Sequence, residues 1–391
     1  MTLSHGDDFL YLISHSRHNH IRCYSKLIGF NLELLSIDFL GKPLRLEGSM
    51  AGWQQLFWDN QIVSQMNADS ERGRDSVHEF RLLSGEKELH CKLEVSLEWQ
   101  PFNVAYRATL NDELVGEGSR DTKDIERQVP YNPPKPERRF SLVGLVSLGF
   151  KALKSAKLIK VVLASASLAA YSWLFSFQFA LALLACLVFH EYGHVRAMKY
   201  FGMKTKGIYL VPFLGGLALS DEKINTRWQD VVISIMGPMF GFILSLILMV
   251  VYWVTGEMFF AGLAVFNAFL NLFNLLPILP LDGGHVLKSI SFSMNSLAGI
   301  VLCSAAALGG VVLSYSLGLT LFGFLLIMGT LEIVIEWRTR HHSHLLPLDR
   351  YGQIVAALWY FALVAGLIGI IWYFAGTGDQ LLQLPLLILG T

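Results

Sequence analysis

His190, Glu191 and His194 fall within five residues, "HEYGH", at the end of an otherwise apolar run. In a helix the two histidines stand one turn apart on one face, so both imidazoles can reach a single tetrahedral zinc with Glu191 beside them. That arrangement suits a hydrolase. Zinc lowers the pKa of a bound water toward neutrality, and a neighbouring carboxylate takes its proton as the water attacks a carbonyl. The plainer reading is that two interfacial histidines cap a helix end while Glu191 pairs with Arg196. A carboxylate at membrane depth costs about 2.5 to 3.5 kcal/mol, which weighs against a glutamate with no task there.

A catalytic zinc also needs a third protein ligand and an open position. Asp282 is the conspicuous candidate, in "LDGGH" just after Pro277 and Pro280 interrupt an apolar stretch. The prolines break the helix and the glycines free the backbone, so the carboxylate can turn toward a metal held by another helix. Asn267, Asn271 and Asn274 share one face of the helix before those prolines, where they either hydrogen-bond between helices or line a polar cavity. His285 follows Gly-Gly at a helix start and is set aside as a ligand.

These side chains need membrane helices to hold them. The chain has 391 residues, 53% of them hydrophobic, and no net formal charge. Its charged clusters crowd before Lys160, and one apolar run after another follows. The expected fold is a polytopic α-helical membrane protein of about seven transmembrane helices, each needing about 20 apolar residues, with an N-terminal β-rich domain. Two short spans fill Lys160 to Arg196, joined near Phe175 to Gln178. Others run over Val231 to Val254, Met258 to Leu276, Leu297 to Ser316, Leu319 to Ile335 and Ile354 to Phe374. Lys151, Lys154, Lys157 and Lys160 precede the first span, and Arg196, Lys199, Lys204, Lys206, Lys288, Arg338 and Arg340 recur on the same side. The other side carries only Glu257 and Asp379 between spans, so the β domain and both motifs are expected to face the cytoplasm.

The domain boundaries follow composition. Residues 1–128 form the β-rich domain, within which residues 30–120 alternate polar and apolar side chains, as antiparallel strands and hairpins do. Within them "LFWDNQIVSQ" and "ATLNDELVGE" echo each other as two similar hairpins. Residues 129–157 form a proline-rich, basic linker, 158–290 the core that holds the motifs, and 291–391 additional C-terminal transmembrane helices. "RTRHHSHLLPLDR" is expected to be a basic loop on anionic lipid, with Glu332 and Glu336 pairing with Arg338 or Arg340. Four cysteines without pairwise spacing support neither a disulfide framework nor a thiolate metal site. No cleavable signal peptide is expected at the N-terminus. The basic residues form no stripe and no glycine loop follows a strand, which argues against nucleic acid and nucleotide phosphates as partners.

"HEYGH" in a membrane helix, Gly237–Pro238 in the next and "NLLPILPLDGG" in the one after resemble the site-2 protease family of intramembrane zinc metalloproteases. The similarity covers residues 160–290. It implies one catalytic zinc, held by His190, His194 and Asp282, with Glu191 as general base. It implies that Asn274 helps to hold the substrate or the oxyanion. Residues 207–220, "GIYLVPFLGGLALS", become a membrane-associated hairpin near the site, able to receive an unwound substrate segment by strand addition. The substrate would be a transmembrane protein cut in or beside its span, within a bacterial inner membrane, and the β domain a candidate binder of a cytoplasmic regulator. No gap between spans has room for the PDZ domain that many relatives carry. Two rival readings stand: a non-catalytic metal-binding or substrate-holding protein on the same scaffold, and a transporter, which would show matched broken helices in two halves.

Overall fold

In the computed structural model the described residues are 10–12, 32–49, 52–66, 75–84, 87–128, 156–174, 176–211, 215–220, 224–316, 320–339 and 345–376. Most of the linker, with Lys151 and Lys154, lies outside them, as do Cys23, Arg340, the histidines of "HHSH" and Asp379. The chain divides into two compact units, 1–128 with 335–349, and 129–334 with 350–391.

The first unit is antiparallel β. Strands β2 (Leu32–Phe39), β3 (Lys42–Gly48), β4 (Gln54–Trp58) and β5 (Gln61–Met66) form one sheet in chain order. Strands β6 (Asp75–Ser84), β7 (Lys87–Trp99), β8 (Phe102–Leu110) and β9 (Glu113–Asp121) form the other, with β1 (Leu10–Leu12) added beside β6. Alternate residues such as Leu44 and Leu46, or Leu93 and Val95, are buried in a common core, as period-two patterning demands. A short helix, α1 (Thr122–Arg127), follows and is capped by the Asp121 carboxylate.

The two echoing segments are the hairpins β4–β5 and β8–β9, and they match in detail. Each turns on two residues at positive φ, Asp59–Asn60 and Asn111–Asp112, as a two-residue primed turn requires. Each then shifts register at the corresponding place, between Leu56 and Phe57 and between Ala108 and Thr109. The last part of "RTRHHSHLLPLDR" differs from the lipid-loop expectation. Leu346 is buried in the β core, where its isobutyl group gains more than it would on a charged surface.

The second unit is helical. Its helices are α2 (Ala156–Leu174), α3 (Phe177–Tyr200), α4 (Arg227–Thr255), α5 (Met258–Asn274), α6 (Asp282–Met294), α7 (Ser296–Ser316), α8 (Thr320–Thr339) and α9 (Arg350–Ala375). Between α3 and α4 lies an antiparallel hairpin, β10 (Thr205–Val211) with β11 (Gly215–Ser220). A helix occupies each stretch read as a span. Among the described residues, four are long and apolar enough to cross a bilayer: α3, α4, residues 297–316 of α7, and α9. The apolar parts of α2 and α5, 159–173 and 258–274, are shorter. The chain is therefore a multi-pass integral membrane protein with a β-rich N-terminal region.

Two features of this unit position the site. Gly193 packs so closely on α4 that a Cβ there would strike the backbone of Met236, so α3 and α4 meet main chain to main chain. The prolines end α5 at Asn274, and the chain runs through Leu275–Leu281 without helix before α6 restarts at Asp282.

Candidate active site

α3 places His190 and His194 on the face it turns toward α4 and α5. The i, i+4 spacing brings their Nε2 atoms to 3.1 Å. Both histidines and Glu191 are buried, at 4%, 8% and 4% exposure respectively. Arg196, the alternative partner for Glu191, is exposed.

The outer nitrogen of each ring is committed. His190 Nδ1 lies 2.7 Å from Asn271 Oδ1, and His194 Nδ1 lies 2.7 Å from the Ile233 carbonyl. A carbonyl oxygen only accepts, so His194 Nδ1 must carry the hydrogen. Asn271 is equally constrained, because its Nδ2 donates to the Asn267 carbonyl and side-chain oxygens. Its Oδ1 therefore faces His190 as an acceptor and makes Nδ1 the donor there too. Asn267 is tied in turn to the Gly241 carbonyl and the Ser245 hydroxyl. The asparagine face thus links α5 to α3 and α4.

With both Nδ1 atoms protonated, both Nε2 atoms present lone pairs to the same point. The chain break brings Asp282 to that point, with Oδ2 at 3.4 Å from His190 Nε2 and 3.5 Å from His194 Nε2. Three acceptor atoms so close repel one another unless a cation lies among them. Zinc bonds of about 2.0 to 2.1 Å put tetrahedral ligand atoms about 3.3 to 3.4 Å apart, so the triangle fits zinc in size as well as in donor type. His190, Glu191 and His194 are the one potential metal-holding cluster of three such side chains found among the described residues.

Glu191 lies beside the triangle, with Oε1 at 4.0 Å from His190 Nε2. β11 covers it. The Ala218 N–H donates to its carboxylate, and a Cβ on Gly216 would strike its Cγ, Cδ and Oε1. On the α4 side, a Cβ on Gly237 would strike both imidazoles. The "GP" in α4 thus clears the space in which the rings stand.

Of the residues singled out from the sequence, the structure gathers His190, Glu191, His194 and Asp282. Asn274 sits half-buried in the last turn of α5, one helical turn beyond the asparagine that touches His190. His285 points elsewhere, with Nδ1 at 3.6 Å from Asp230 Oδ1. Beside it Lys288 donates to Glu332 at 2.5 Å, and Ser289 donates to Asp230 at 2.6 Å. Glu332 thus reaches Lys288 in α6. Sequence reasoning missed Gly216 and Asp230. A lone acid in the first turn of an apolar helix was the available signal for Asp230, whereas Gly216 had none.

Residues 178–257 and 254–301 match peptidase family M50. The match takes in about a third of the chain. The chain is 37% identical over 173 residues to a Synechocystis sp. protein assigned as a zinc metalloprotease, covering 42% of this chain and 45% of that one. It is 34% identical over 113 residues to a zinc metalloprotease of Methanocaldococcus jannaschii, covering 28% and 32%. With stage IV sporulation protein FB of Bacillus subtilis it shares 27% over 186 residues, covering 44% and 63%. The chain therefore spans less than two thirds of the length of each of these relatives. Both the M50 match and the names of two relatives imply zinc, which the donor triangle suits. The matched stretch includes every side chain of the candidate site described above except Glu332.

Proposed function

We propose that this protein is an intramembrane zinc metallopeptidase that hydrolyses a peptide bond in or beside a transmembrane segment of another membrane protein. The observation that carries this reading is the convergence of His190 Nε2, His194 Nε2 and Asp282 Oδ2 at 3.1 to 3.5 Å, with the Glu191 carboxylate alongside. Zinc held by these three atoms would supply Lewis acidity to a water and to the scissile carbonyl.

The chain's own groups supply the rest. Glu191 takes the proton of the attacking water at its carboxylate and passes it to the departing amide nitrogen. Asn271 and the Ile233 carbonyl keep both imidazoles in the tautomer that presents Nε2. Asn274, at the mouth of the chain break, is assigned to hold the substrate or its developing oxyanion. The β10–β11 hairpin is assigned to receive the substrate as an added strand, since it already lies over Glu191. The transmembrane count in this reading is about seven, with α2, α5 and α8 crossing as shorter or more polar helices. The β domain faces the cytoplasm of a bacterial inner membrane and binds a regulator there.

The test compares membranes from cells expressing the parent protein and Glu191→Gln. Both are expected to carry stoichiometric zinc, while fragments of membrane proteins cut within their spans accumulate only with the parent. Identical fragment sets from the two would sink the catalytic reading and leave the metal-holding scaffold.

A further inference from the structure

The non-helical stretch that delivers Asp282 is gripped by helices beyond the M50 match. Where α5 ends, the Leu275 carbonyl has no helical donor ahead of it. The hydroxyl of Tyr360, in α9, donates to that carbonyl at 2.5 Å. Against the same carbonyl lies Gly283, where a Cβ would strike both its carbon and its oxygen. Gly283 is bonded to Asp282. One hydrogen bond, one close contact and one peptide link thus connect the Tyr360 hydroxyl to the third member of the donor triangle.

α8 grips the same stretch further along. A Cβ on Gly329 would strike the Leu279 carbonyl, so α8 lies directly on that backbone. Leu326 packs with Ile278 and Leu281, and Ile333 with Leu279. Without a helical hydrogen-bond ladder of its own, the stretch takes its position from these contacts.

We propose that Tyr360 is a positioning residue for Asp282, acting through the Leu275 carbonyl, and that α8 and α9 complete the metal site. The proposal rests on the reading of Asp282 as a zinc-holding residue. A buried carbonyl that loses its donor shifts to find another, and metal distances tolerate only about 0.2 Å. A shift of a few tenths of an ångström at Leu275 therefore reaches Asp282 through Gly283, which has no slack.

The experiment uses the full-length protein in detergent, as parent, Tyr360→Phe and the lipid-facing control Phe361→Leu. Interhelical hydrogen bonds in membranes correspond to roughly 3- to 20-fold in an equilibrium. Tyr360→Phe is expected to weaken zinc by that factor in chelator competition and to change the visible spectrum of the cobalt-substituted protein. Its kcat should fall with KM unchanged. Phe361→Leu, at the same thermal midpoint, should match the parent in all three. Should Tyr360→Phe not accumulate, Tyr360→Met carries the same expectation. Parent-like zinc affinity and cobalt spectrum in the hydroxyl-free variant, or equal changes in the control, overturn the proposal. If Asp282→Asn also holds cobalt as the parent does, the zinc reading of Asp282 falls first and takes the proposal with it.

Discussion

His190 Nδ1 and Asn271 Oδ1 stand 2.7 Å apart, and Asn271 cannot turn its amide over without losing its own donor bonds to Asn267. One α5 side chain thereby sets the tautomer and the ring angle of a histidine on α3. Removing such a support from a metal-holding histidine typically costs 10- to 100-fold in metal affinity or activity. Asn271→Leu is expected to lose zinc by that factor in chelator competition. Asn274→Leu should keep its zinc, since Asn274 is not the residue bonded to His190.

The approach of Gly216 to Glu191 makes a different prediction. The Glu191 side chain can swing, whereas the α3 backbone cannot. A methyl at Gly216 should therefore displace the carboxylate and leave the fold intact. Gly216→Ala is expected to retain zinc and thermal midpoint while peptide cleavage falls by about 10²- to 10⁴-fold, the usual contribution of a positioned base. Unchanged cleavage by Gly216→Ala would show that β11 does not hold Glu191 in its working position.

Lys288 is 6% exposed and lies among Asp230, His285 and Glu332. Truncating it removes the ammonium that pairs with both carboxylates and leaves the His285 imidazole, 3.6 Å from Asp230 and 3.9 Å from Glu332, between them. Breaking a buried ion pair in this way costs about 3 to 5 kcal/mol. Lys288→Met should lower the thermal midpoint strongly, and Lys288→Met with Glu332→Leu should recover part of the loss. A single variant as stable as the parent would show that the cluster carries no such weight.

In the β domain, burial pushes the Cys91 thiol up to about 12. Its thiolate fraction at pH 8 is then about one in ten thousand, because each unit between pH and pKa is tenfold. Peptide mapping after maleimide treatment of the native full-length protein at pH 8 is expected to find Cys91 unmodified, and modified once denaturant is added. Rapid labelling of the native protein would mean that the β core opens around β7.

How far each feature could be read depended on the reach of the interaction behind it. The primed turns at Asp59–Asn60 and Asn111–Asp112 were visible because turn chemistry is settled within four residues. The helices read as spans were visible because hydropathy reports an apolar run wherever the segment packs, and four of those runs are long enough to cross a bilayer. The partner of Glu332 was misread because Arg338 and Arg340 are near in sequence, while Lys288 comes close only after α6 and α8 pack. Leu346 went the same way, since its burial depends on strands more than two hundred residues earlier.

By itself the sequence determined the local geometry: two imidazoles one helical turn apart, a carboxylate between them, and an aspartate freed from a helix by prolines. Periodicity defines faces relative to a helix's own axis, and that is enough for His190 and His194 to converge. It carries no information about how one helix is rotated or crossed against another. Only the tertiary packing decided that Asp282 arrives at 3.4 and 3.5 Å from the two imidazoles and that Asn271 supports His190. The same packing laid Gly216 on the Glu191 side chain and brought the Tyr360 hydroxyl to the Leu275 carbonyl, against which Gly283 lies closely for want of a side chain.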